Sequence, residues 1–186
     1  IIVIMEKTEK RFTGKKIALL GILAGLGLIA FMLESLIPVP FLPGAKLGFA
    51  NIFSLLALLL YGLPEALIVV TVRTVLGSLF AGNVSMLLYS LTAGLVSTCV
   101  SRLLLCALPR VSFLCVSVAG AIVHNLVQLF VYCALTGTAL LFVYSPYLCL
   151  MGAGAGVVVG LAVTFVLKAL PARLFAQKTL PKEDIK

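Results

Sequence analysis

The sequence lacks tryptophan, has a single histidine, and carries charge on only 11% of its 186 residues. A soluble domain is about a quarter charged, so a water-soluble fold is excluded. The chain's one aspartate, Asp184, lies in the C-terminal tail. Chemistry that holds a diphosphate through Mg²⁺ needs clustered carboxylates, and six acidic residues, mostly near the chain ends, do not supply them. No glycine-rich phosphate loop ending in Gly-Lys-Ser/Thr is present, which excludes ATP hydrolysis by that route. The five cysteines, Cys99, Cys106, Cys115, Cys133 and Cys149, form no Cys-x-x-Cys pair, so no metal site is expected. Each falls in an apolar run and reads as a small buried hydrophobe. His124 has no Ser or Cys nucleophile with an orienting acid nearby in sequence, so acyl transfer is unsupported. Catalysis by this chain alone, and a resident cofactor, are therefore not expected.

What is present is apolar length. Hydrophobic residues make up 62% of the chain and the mean hydropathy is +1.25. About 20 apolar residues cross a bilayer, so the length suits six spans. Pro, Gly and turn pairs divide them at about residues 17–37, 48–63, 64–81, 84–105, 111–135 and 145–170. Pro64 fits a first helical turn, and Glu65 complements the dipole there. Gly82-Asn83 and Ser145-Pro146 mark further boundaries. The expected domain is residues 16–171, flanked by basic tails at 1–15 and 172–186. Ile1–Ile4, before Met5, read as an extension outside the fold. The first apolar run is span-length without a small-residue cleavage site, so a cleaved signal peptide is not expected.

The net charge of +8 gathers at the two chain ends, with Arg102 and Arg110 between spans four and five. With the N-terminus inside, Lys46 is the only basic residue in an outer segment, which predicts both termini in the cytoplasm. The pattern suits anionic lipid headgroups, and nucleic acid is not an expected partner. Spans two and three are short enough for a re-entrant hairpin, which would leave that orientation unchanged.

Ionisable groups in hydrocarbon are costly and default to function. Three fall in the spans: Glu34, Arg73 and His124. At 1.5 Å per residue, Arg73 lies roughly 12 Å from the inner end of its span and His124 about 18–20 Å from the inner end of its own. Arg73, Thr74, Gly77, Ser78 and Ala81 share a face. So do Ser117, His124, Gln128 and Tyr132, with Asn125 beside them, and so do Ser85, Tyr89 and Thr92. The segment Phe41–Phe53 holds Pro43, Gly44, Lys46 and Asn51 between apolar runs. It reads either as a lip over a binding site or as a connecting loop whose Lys snorkels. The polar groups read either as hydrogen-bonding glue, with Arg73 paired to Glu34, or as a pocket. Their gathering in the middle and outer half, with the inner half almost wholly apolar or small, favours a pocket open to the outside. Three cationic or donor groups against one carboxylate favour an anionic or electron-rich ligand. Gly21 and Gly25, and Gly152, Gly156 and Gly160, form small faces for close helix approach. The later set suits packing within the chain. The earlier one suits either that or a docking partner.

Four stretches carry a family resemblance. They are Leu33-Glu34-Ser35-Leu36-Ile37-Pro38, Pro43-Gly44-Ala45-Lys46-Leu47-Gly48-Phe49-Ala50-Asn51, Arg73-Thr74-Val75-Leu76-Gly77 and His124-Asn125-Leu126-Val127-Gln128. Together they resemble the Gx transporter family, labelled heptaprenyl diphosphate synthase component I. That family is similar in turn to the substrate-binding S components of energy-coupling factor (ECF) uptake transporters. The resemblance spans about Ile17–Leu170. It implies an all-α six-helix membrane bundle in the bacterial cell membrane. It also implies a substrate pocket capped by the loop after the first helix, and docking of that helix on a coupling subunit carrying two ATPases. S components typically dock through Ala-x-x-x-Ala, where this chain has Gly21 and Gly25. The expected substrate contacts are Lys46 and Arg73 for charge, Glu34, Asn51, His124, Asn125 and Gln128 for hydrogen bonds, and Tyr89 for stacking. The rival expectations are a non-catalytic accessory subunit for polyprenyl diphosphate or quinone synthesis, and a membrane anchor for an electron-transfer assembly.

Overall fold

The computed structural model describes residues 14–36, 48–108 and 110–169. These form helices α1 (Gly14–Ser35), α2 (Asn51–Tyr61), α3 (Leu63–Phe80), α4 (Val84–Ala107), α5 (Phe113–Thr136) and α6 (Ser145–Ala169), with a 3-10 turn at Leu140–Tyr144 before α6. The boundaries have local causes. Asn83 caps α4 by accepting from Met86 N at 3.0 Å, and Ser112 caps α5 by accepting from Cys115 N at 3.2 Å. Gly62, at φ 106°, makes the single-residue break between α2 and α3, and Gly137, at φ 68°, ends α5.

Among the described residues, five helical segments are long and apolar enough to cross a membrane. Their outward faces carry Ile29, Val84, Leu103, Phe130, Leu161 and Phe165 in the open. Apolar exposure on this scale suits lipid and not water. The chain is an all-α, multi-pass membrane protein.

α2 is shorter than the expected span over 48–63. Its 11 residues rise about 16 Å, half the hydrocarbon thickness. The tight turns Asn51 N to Gly48 O (2.9 Å) and Ile52 N to Phe49 O (3.0 Å) occupy the start of that apolar run. Gly48 and Ala50 are already buried there, so the positive end of α2 opens inside the bundle.

Leu20, Leu60, Phe113 and Leu167 meet in one apolar cluster. The start of α1, the end of α2, the start of α5 and the end of α6 therefore share one end of the bundle. Among the described residues every Lys and Arg except Arg73 belongs to segments at this end, called the basic end below. Lys16 reaches Glu65 of α3 there at 2.7 Å and sits 5.6 Å from the Tyr61 ring centroid.

The most extensive packing is between α5 and α6. A Cβ on Gly152 would stand 3.2 Å from Ala121 O, one on Gly156 2.6 Å from Val118 Cα, and one on Gly160 2.8 Å from Leu114 Cα. This glycine row is an intramolecular seam. Gly21 and Gly25 differ: both are exposed, with nothing within 4 Å of an added Cβ. The expectation of five buried cysteines needs correction. Cys99, Cys106 and Cys115 are exposed and Cys133 alone is fully buried. A thiol is apolar enough to face lipid as readily as protein.

Candidate functional site

The crossing of α1 and α3 builds the site. Gly27, Phe31 and Glu34 lie on the buried face of α1, and Arg73, Thr74, Gly77 and Ser78 on that of α3. Each helix offers a glycine to the other's large side chain. A Cβ on Gly77 would come 2.3 Å from Phe31 Cδ1, and one on Gly27 would come 3.1 Å from Arg73 Cδ. The two glycines thus admit Phe31 and Arg73 into the bundle.

Arg73 is 3% exposed. Its Nη2 donates to Asn51 Oδ1 at 2.7 Å, joining α3 to the first residue of α2. Its Nε has no hydrogen-bond partner among the described residues. Glu34, also buried, accepts from Phe49 N in the turn that opens α2 and interacts electrostatically with Arg73. Gly48, at φ 91°, is where Asn51 Nδ2 fits against the backbone; a Cβ would stand 3.0 Å from that nitrogen. Thr74, Ser90 and His124 complete the walls of a cavity of about 10 Å³ with Phe31, Glu34, Gly48, Asn51 and Arg73. That is room for about one water.

A second cavity of about 30 Å³ meets the first at Gly48 and Asn51 and extends toward the basic end. Hydroxyls line it: Ser54 from α2, Ser97, Thr98 and Ser101 from α4, and Ser117 from α5. Thr98 donates to Gly94 O at 2.8 Å and Ser101 to Ser97 O at 2.8 Å. Ser97 approaches Gly94 O at 3.1 Å and His124 Nδ1 at 3.5 Å. The side-chain oxygens of Ser54 and Ser117 have no partner among the described residues.

Four of the eight expected substrate contacts therefore line one cavity: Glu34, Asn51, Arg73 and His124. Lys46 lies outside the described residues. Tyr89 is buried elsewhere, edge-on to Tyr132 with centroids 5.9 Å apart, among Phe31, Ala50 and Met86. Asn125 turns away to α6 and donates to Leu148 O at 2.9 Å. Gln128 is buried on α5 but does not line either cavity.

Two expectations about faces are corrected. Ser85 and Thr92 are exposed, and the buried face of α4 runs through Met86, Tyr89, Ser90, Ala93, Gly94, Ser97, Thr98 and Ser101. The half of the bundle toward the basic end is accordingly not wholly apolar or small. Ser97, Thr98, Ser101 and Ser117 are buried there. Ser90, Ser97, Thr98 and Ser101 were missed in sequence, though Ser117 was read on the His124 face, because Ser and Thr are common on membrane helices, where they bond their own backbone. The available signal was Ser90, Ser97 and Ser101 recurring with Ala93 and Gly94 at helical spacing.

Fold and site together define a multi-pass helical membrane protein with a buried, charged polar centre. The chain belongs to the heptaprenyl diphosphate synthase component I family, which matches residues 23–166. No curated protein and no solved structure gave a match.

Proposed function

We propose that the chain is the substrate-binding membrane subunit of an ECF-type uptake transporter, taking a small anionic or polar-aromatic molecule of the vitamin or cofactor kind. The observation that carries this reading is the convergence of Arg73, Asn51, Glu34 and His124, from four different helices, on one buried cavity. Structural glue does not require an arginine with an unpartnered Nε beside a cavity. The chain itself is non-catalytic in this reading. ATP energy comes from a coupling subunit with two ATPases, which dock on the exposed small face of α1 at Gly21 and Gly25. The resting cavity of about 10 Å³ is far below the 300–1,000 Å³ of typical small-molecule sites. Ligand entry therefore needs α1 and α2 to shift against the rest.

The test is native mass spectrometry of the purified protein for a co-purified small molecule, repeated with Arg73→Ala. A specific bound mass lost on substitution is expected. Equal retention of that mass removes Arg73 from the site. The family description supports a second reading, a non-catalytic accessory subunit that assembles with a separate heptaprenyl diphosphate synthase component. Co-purification of an Asp-rich prenyl synthase, in place of ATPases, favours it.

A further inference from the structure

The cavity at Arg73 contains an anion that belongs to the protein. Glu34 is 5% exposed although it sits in the last turn of α1, between exposed Leu33 and Ser35. Its carboxylate accepts from Phe49 N in the turn that opens α2, where the positive end of a helix dipole is buried. It also shares the cavity with Arg73. A backbone N–H at a helix start beside a buried guanidinium is the arrangement that binds a free carboxylate. A second feature points to a ligand. Arg73 and Ser90 both line the cavity and are both 3% exposed, and the Arg73 Nε and the Ser90 hydroxyl have no hydrogen-bond partner among the described residues. Glu34 takes up neither of these donors.

We infer that Glu34 is a built-in stand-in for the ligand's carboxylate: it fills the anion subsite at rest, and an incoming carboxylate displaces it. The inference rests on the cavity being a ligand site and narrows the ligand to one bearing a carboxylate. It also accounts for the size of the cavity, since the space an anionic group needs is taken by the Glu34 side chain. Displacement releases α1 from the start of α2, which opens the site from the α1 side.

Glu34→Ala removes a methylene and a carboxylate, and acetate matches the missing atoms. The probe is therefore sodium acetate against sodium chloride at equal ionic strength, with thermal unfolding of the full chain in detergent as the readout. Acetate is expected to raise the midpoint of Glu34→Ala by about 2–4 °C at saturation, to leave the wild type unmoved, and to leave Glu34→Gln unmoved, because the amide fills the same space. Adding Arg73→Ala to Glu34→Ala is expected to abolish the response. If Glu34→Ala is not recovered in chloride, recovery of monodisperse protein in acetate is the readout, and recovery in neither buffer counts against the inference. Equal effects of acetate and chloride, or an equal acetate response in Glu34→Gln, overturn it. A co-purified molecule without acetate rescue sinks this inference and leaves the uptake reading standing. Rescue without any bound molecule keeps the anion subsite at Glu34 and counts against the uptake reading.

Discussion

Gly154 and Gly156 belong to one Gly-Ala-Gly-Ala-Gly run, yet the structure predicts opposite consequences for the same substitution at each. Gly154 is exposed, and a Cβ there meets nothing within 4 Å. At Gly156 a Cβ would stand 2.6 Å from Val118 Cα, 3.0 Å from Ser117 O and 3.1 Å from Ala121 Cβ. Two of those three atoms are backbone of α5, so no rotamer change relieves the clash and α6 must move outward. Overpacking of this kind costs about 1–3 kcal/mol. Both substitutions exchange glycine for alanine in a helix interior, so the gain in helix propensity, about 1 kcal/mol, is common to the two. The difference between Gly156→Ala and Gly154→Ala isolates the packing term. At about 2–4 °C per kcal/mol for a chain of this size, the midpoints should differ by about 2–12 °C, with Gly156→Ala the lower. The absence of tryptophan makes far-ultraviolet circular dichroism the natural readout. Equal midpoints would refute the α5–α6 seam as drawn.

Further outcomes follow from single contacts. Glu65→Gln or Lys16→Met breaks the 2.7 Å bridge between α1 and α3, and because Lys16 is partly exposed each should cost about 1–3 kcal/mol; the double variant should recover part of the loss, measured as a coupling energy in a double-mutant cycle. Asn125→Ala removes the bond to Leu148 O and should lower stability by about 0.5–2 kcal/mol while retaining any co-purified mass that Arg73→Ala loses, because Asn125 faces α6 and not the cavity.

The helix order was legible in the sequence because its punctuation is chemical. Asn83 and Ser112 cap, Gly62 and Gly137 take positive φ, and Pro64 sits in a first turn. α2 was misread in length because the turn at Gly48–Ala50 is written in apolar residues, and hydropathy alone does not separate a buried turn from a buried helix. Which face of each helix turns inward was harder. In lipid both faces are apolar, so the period that betrays a soluble helix is nearly silent. Costly groups still betray the inner face, and Glu34, Arg73 and His124 were singled out on that ground, whereas Asn51 was singled out from the Phe41–Phe53 segment. Cheap polar groups do not. Ser85 and Thr92 were read inward with Tyr89, whereas Ser90 and Ser97 hold that place. Asn125 and His124 are adjacent and both buried, and only the position of α6 decides that one serves packing and the other the cavity.

The distribution of tight and loose contacts bears on how such a small cavity could open. α4, α5 and α6 form one block, locked by Gly152, Gly156 and Gly160 pressed on α5 backbone and by Asn125 bonded across to Leu148. α1 stands outside that block and packs chiefly on α3 and α2. Among the described residues, polar attachments hold it at both ends: Lys16 to Glu65 at the basic end, and Glu34 to the turn before α2 at the other. The cavity wall is divided along the same line, with Glu34 and Phe31 on α1 and with Arg73, Thr74, Ser90 and His124 on α3, α4 and α5. In the proposed opening, breaking the Glu34 attachment while keeping Lys16–Glu65 would let α1 swing about its basic end and widen the cavity without disturbing the glycine seam. The ion pair at the basic end is then a hinge point and the buried carboxylate a latch, and a variant weakened at Lys16 should loosen α1 as a whole without favouring the opening at Arg73.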